Sequence, residues 1–126
     1  MKWNHRLVAG ALALAAFGAQ ALVIKPYSAQ ALAAAQAGGQ PVVLHFHASW
    51  CPTCRAQDKV FEAMKSEPGL DLTVLSADYD SERALRKQLK VPAQATLIVY
   101  HGAQERTRST GQTDPDALRA LLKKAL

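Results

Sequence analysis

The sequence predicts a single α/β domain, and three observations carry that expectation. Segments with helical and strand-like patterning alternate along the chain. Both cysteines, Cys51 and Cys54, fall at one junction, where an apolar run gives way to a helical segment. The length of 126 residues, 49% hydrophobic and 20% charged, suits one core and excludes a disordered tail.

Residues 1–21 have the form of a secretory signal peptide. Lys2, His5 and Arg6 make a basic start, Leu7 to Phe17 is an apolar run, and Ala19-Gln20-Ala21 is a small-x-small cleavage site. The apolar run is shorter than the roughly 20 residues that span a bilayer. Extending it to Ile24 keeps an uncleaved N-terminal anchor as the alternative. With no cysteine near the cleavage site, a lipidated cysteine is excluded. The expected domains are therefore a signal at 1–21 and a folded unit at 22–126, located in the periplasm and touching the membrane only during export.

The next segment predicts a helix from Ser28 to Ala37, capped by Ser28 and ended by Gly38-Gly39. "VVLHFHA" after Pro41 is a β-branched and apolar run that predicts a buried strand. A second helix is expected from Pro52 to about Lys65, with Pro52 in the first turn and Val60, Phe61 and Met64 on its apolar face. "DLTVLSA" predicts a strand. Asp80 or Ser81 is expected to cap a helix from about Glu82 to Lys90, with Ala84, Leu85 and Leu89 facing inward. "ATLIVYHGAQERTRSTG" predicts two strands joined at His101-Gly102, the second patterned as an edge. Asp114-Pro115 opens a last helix with Leu118, Leu121 and Leu122 as its stripe and Lys123-Lys124 at its negative end. The expected order is α-β-α-β-α-β-β-α.

Charge excludes one class of partner. Removal of residues 1–21 leaves 13 basic and 10 acidic side chains, a net +3 spread evenly along the chain. That is too weak and too dispersed for nucleic acid binding. One cysteine pair also excludes a multi-bridge disulfide scaffold.

Cys51-Pro52-Thr53-Cys54 admits three readings: a redox couple, half of a metal site, or an inert bridge. Closing a two-residue loop removes little chain entropy, which makes the bridge a poor staple. His45 and His47 lie two apart on the predicted strand and face the same way. Together with Cys51 and Cys54 they offer two imidazoles and two thiolates, a donor set suited to Zn or Cu. A Cys51 at a helix start would instead have its thiolate favoured by unpaired backbone N–H groups and the positive dipole end. Thiols so placed have pKa values of roughly 3.5–7.5, against about 8.5 for free cysteine.

"FHASWCPTC" between strand and helix, "ADYD" after the second strand, and "ATLIVYHG" before the second hairpin strand resemble the thioredoxin family from about Ser28 to Leu126. The resemblance implies the thioredoxin-like fold, a central mixed β-sheet flanked by helices. It implies a thiol-disulfide oxidoreductase with Cys51 as attacking and Cys54 as resolving cysteine, and Trp50, Pro52, Thr53 and Ala95 beside the substrate. Protein thiols and disulfides are then the substrates, a membrane thiol reductase is a possible electron donor, and the chain acts as a monomer without cofactor. The alternatives are a Cu- or Zn-binding relative using Cys51, Cys54 and His45/His47, and a binding protein with a vestigial dicysteine.

Two positions depart from the family pattern. His45 stands where thioredoxins carry a buried Asp thought to relay protons, and an imidazole near its neutral pKa can serve that role. Ala95 stands where a cis-proline precedes the Thr of the third strand. Cis bonds outside proline cost about 2.5–4 kcal/mol, so a trans Gln94-Ala95 bond is expected. The alternative is a rearranged loop in which Pro92 takes that place. The Pro52-Thr53 pair resembles the Cys-Pro-His-Cys couple of strong periplasmic oxidants but lacks the imidazole. A reductant or exchange catalyst is therefore expected rather than a strong oxidant.

Overall fold

The computed structural model describes residues 21–126. The signal-peptide expectation falls on residues 1–21, and all but Ala21 lie outside the described residues. Nine elements follow: β1 (Val23–Pro26), α1 (Ala29–Ala37), β2 (Pro41–His47), α2 (Pro52–Met64), β3 (Thr73–Asp78), α3 (Arg83–Leu89), β4 (Thr96–His101), β5 (Gln104–Thr110) and α4 (Pro115–Lys123). They form one five-stranded sheet in the order β1-β3-β2-β4-β5. β1 and β2 run parallel to β3, while β4 runs antiparallel to β2 and β5 antiparallel to β4. The sheet is mixed, as expected.

The first strand was not foreseen. "VIKP" reads as the tail of the apolar N-terminal run, because four residues give no alternation to detect. It becomes a strand by pairing with β3, Val23 opposite Thr73 and Ile24 opposite Val74, with Leu22 buried beside it. Strand identity here lies in the partner rather than in the segment.

β2 is central, and its alternation builds both halves of the core. Val43 joins Phe61 and Met64 of α2, Leu97 and Val99 of β4, and Leu118 and Leu122 of α4 on one face. Val42, Leu44 and Phe46 join Leu75, Ile98, Leu85 and the inward side of α1 on the other. Burying a side chain of this size stabilises by roughly 1.5–3 kcal/mol, an upper-bound figure because unfolded chains are partly compact. The hairpin turn needs Gly102: its φ is +56°, and a Cβ there would stand 3.1 Å from Gly39 Cα.

Two helices are capped as the sequence suggested. Ser28 accepts from Ala31 N–H at 3.0 Å, and Asp114 accepts from Ala117 N–H at 2.9 Å. α3 differs from expectation. Its N-cap is Glu82, with no side-chain bond, because the Asp80 carboxylate instead accepts from Trp50 Nε1 across the chain at 2.8 Å. Ala84 also faces solvent; Leu85 and Leu89 turn inward, with Arg86 half-buried beside them.

Candidate functional site

The site forms where β2 ends and α2 begins. Cys51 is the N-cap of α2, with Pro52 at the first helical position, so the missing proline N–H costs no hydrogen bond. Cys51 and Cys54 are joined in a disulfide with Cα atoms 5.3 Å apart. Cys51 Sγ also accepts the Cys54 backbone N–H at 3.1 Å. Cys51 is 2% and Cys54 0% exposed, and they pack with Ala48, Ala95 and the Tyr79 ring. Pro52 and Trp50 stand exposed at the rim, with Thr53 half-buried between the cysteines.

Behind the disulfide lies a buried polar network on the same face of α2. Cys54, Gln57, Phe61 and Met64 form its inward stripe, and Gln57 is 0% exposed. Gln57 Nε2 donates to the carbonyls of Ala95 at 3.1 Å and Gln112 at 3.0 Å. Both amide hydrogens are thereby used, so Oε1 must accept from His45 Nε2 at 2.8 Å. That fixes the neutral tautomer of His45 with its proton on Nε2. The Nδ1 lone pair faces Asp58 Oδ1 at 3.8 Å, and the Asp58 carboxylate is engaged by His47 Nε2 at 2.7 Å. The His45 ring meets Phe61 edge-on, with ring centres 5.4 Å apart.

His47 is therefore hydrogen-bonded to Asp58 through Nε2, a contact that strand patterning alone did not reveal. The donors of the Cu or Zn alternative are engaged elsewhere in this structure. The Nε2 atoms of His45 and His47 are taken by Gln57 and Asp58, and the two sulfurs are bonded to each other. Among the described residues no group of three or more His, Cys, Asp or Glu can hold a metal ion. Gln57 and Asp58 were missed because polar residues in a helix carry no strand or motif signal. The available signal was spacing: Gln57 falls three residues after Cys54 on the apolar stripe.

Burial holds the His45 pKa below its ordinary 6.5, against the opposing pull of the Gln57 hydrogen bond and the Asp58 charge, with the neighbouring His47 adding to the depression. Between the folded value and 6.5 the unfolded chain binds more protons than the folded one. Stability from this group is complete above about pH 6.5 and is lost as pH falls through that window. A His45→Gln variant is expected to flatten the decline of melting temperature between pH 7 and pH 5. An unchanged slope would show that another group sets it.

The comparisons with known proteins agree with this geometry. The Thioredoxin family model matches residues 25–124. The chain belongs to the thioredoxin family. The thioredoxin of Chlamydia trachomatis is 35% identical over 83 residues, covering 66% of this chain and 80% of that protein. The thioredoxin of Mycobacterium tuberculosis is 32% identical over 79 residues, covering 63% and 68%. Among solved structures, Trxlp from Edwardsiella tarda superposes with a TM-score of 0.74 at 39% identity, over 79% of this chain and 97% of that one. Thioredoxin O2 from Arabidopsis thaliana gives 0.65 at 27%, over 83% and 94%. As a family member, the chain is a thiol-disulfide oxidoreductase with its cysteine pair at the expected junction.

At the family's proline position this thioredoxin keeps Ala95, and every peptide bond among the described residues is trans. Pro92 does not replace it: Pro92 is exposed, and its carbonyl accepts from Tyr79 Oη at 3.0 Å. Ala95 adopts φ +61°, a left-handed conformation costing an L-residue roughly 1–2 kcal/mol. Its N–H donates to Phe46 O at 2.8 Å, and its carbonyl accepts from Gly111 N–H as well as from Gln57. Both backbone groups are thus used within the fold, and only the methyl meets the disulfide. Restoring the family residue is expected to harm this thioredoxin. Ala95→Pro forbids the positive φ and removes the bond to Phe46, for a loss of about 3 kcal/mol or more. Chemical denaturation measures it; a proline variant as stable as the parent would mean that the loop re-forms around a new backbone.

Proposed function

We propose that this thioredoxin is exported and catalyses disulfide exchange with protein substrates through Cys51 and Cys54, as a reductant or exchange catalyst rather than a strong oxidant. The observation that carries the proposal is the Cys54 N–H aimed at Cys51 Sγ at the start of α2. In the dithiol form that donor and the helix end favour a Cys51 thiolate. The thiolate attacks a substrate disulfide, forming a mixed disulfide and releasing one substrate thiolate. Cys54 then attacks Cys51 Sγ, which frees the second thiolate and closes the bond seen here. Two electrons pass to the substrate, and a thiol reductase in the membrane restores the pair.

His45 acts in this scheme as a positioning and proton-holding group on the Gln57 network, its Nδ1 free to take a proton. Trp50, Pro52 and Thr53 form the rim that a substrate meets, and the chain works as a monomer. Export is supported by the basic start, apolar run and Ala19-Gln20-Ala21 site; cleavage after Ala21 leaves Leu22 and β1 with the domain. The weaker anion-stabilising power of Thr53, compared with a histidine there, supports the reductant direction. Capture of partners tests the proposal: a chain lacking the Cys54 thiol should hold its substrates as mixed disulfides through Cys51, and failure to capture any overturns it.

A further inference from the structure

The flank of α3 carries a feature that the exchange chemistry does not use. Arg83, Arg86, Lys87 and Lys90, with Val91 and Pro92, line an open pocket of about 500 Å³. Arg83, Arg86 and Lys87 recur at i, i+3 and i+4 on one face of α3, where like charges repel, and Lys90, the left-handed C-cap, adds a fourth cation to the same pocket. None of the four forms an ion pair among the described residues. A helix dipole accounts for Lys87 and Lys90 near the C-terminal end, but Arg83 opens the helix, where a cation is unfavourable. Arg86 is held over the Tyr79 ring at 3.8 Å, and its buried Nε has no acceptor. Charge of one sign is thus gathered around an apolar floor and left unneutralised.

Its position matters as much as its charge. Tyr79 presents its ring to Arg86 and bonds the Pro92 carbonyl, and the same side chain packs against the cluster of Cys51, Cys54 and Ala95. One aromatic side chain therefore separates the basic pocket from the disulfide. The loop forming its wall runs on from Pro92 to Ala95.

We propose that this pocket docks an acidic segment of the protein substrate and so holds the substrate's cysteine beside Cys51. The proposal rests on the exchange activity above. Carboxylates entering the pocket relieve the repulsion along α3, while the apolar floor accepts the stems of neighbouring side chains. Because Ala95 has no free backbone group to pair with a peptide, orientation of the substrate falls more heavily on such side-chain contacts. Long-range attraction also raises the encounter rate of a negative partner.

The test uses two synthetic disulfide-bonded peptides that differ only in a flanking run of Glu or of Gln. At low ionic strength the Glu peptide is expected to be reduced about five- to tenfold faster, the size given by two or three exposed charge pairs. The preference should vanish at high salt. It should also vanish in a variant combining Arg83→Gln, Lys87→Gln and Lys90→Asn, all exposed positions, with asparagine chosen for the left-handed Lys90. Reduction of a small uncharged disulfide should be the same in both proteins; loss of that reaction in the parent would sink the exchange activity rather than the docking site. Fluorescence anisotropy with a labelled, cysteine-free Glu peptide reads docking without turnover, and the same variant should weaken it. Equal rates for the two peptides, or a preference surviving in the variant, would overturn the proposal.

Discussion

A Cys54→Ala variant is expected to lose turnover of insulin disulfides while Cys51 remains able to attack. The alanine keeps the backbone N–H that Cys51 Sγ accepts, so the nucleophile retains its electrostatic setting. What disappears is the intramolecular second step. In the parent, Cys54 lies one helical turn from Cys51 and is fully buried, ready to displace the substrate without an encounter. Without it the mixed disulfide waits for an external thiol, on the roughly minutes-to-hours scale of uncatalysed rearrangement. Non-reducing gels should show new high-mass bands that collapse on reduction and are absent when Cys51→Ser is added. Turnover by Cys54→Ala at the parental rate would show that release does not use this pair.

Gln57→Ala is expected to cause a large loss of stability beside the site. The side chain is wholly buried and supplies three hydrogen bonds, to His45, Ala95 and Gln112. Truncation orphans the buried His45 Nε2–H and opens a cavity, while Ala95 O keeps its Gly111 donor. An orphaned buried donor costs roughly 1–3 kcal/mol, and with the cavity a total of about 3 kcal/mol follows. For a domain of this size that lowers the melting temperature by some 10–20 °C. Gln57→Leu separates the two causes by restoring volume without the acceptor. A leucine variant as stable as the parent would show that the hydrogen-bond network contributes nothing net.

Much of the fold was legible because its signals are local. The "VVLHFHA" run, the Ser28 and Asp114 caps, and Pro52 in the first turn each set an element from neighbouring residues, and all three are in place. What escaped is made by distant partners. β1 exists by pairing with β3; α3 was foreseen, and only its expected cap is absent, Trp50 taking the Asp80 carboxylate. The cysteine pair was plain from its spacing at a strand-helix junction, whereas Gln57 and Asp58 became site residues only when α2 packed against β2.

Sequence by itself determined the chemistry of this thioredoxin: two thiols one turn apart at a helix start, with histidine and alanine at two positions where the family differs. Tertiary structure decided what those differences mean. It assigned the His45 proton to Nε2 through a glutamine twelve residues away and closed the backbone of Ala95 to any partner. It also brought the α3 cations to within one tyrosine ring of the disulfide. The reason is physical: a residue type fixes which bonds a side chain can make, while burial and long-range packing fix which of them it does make.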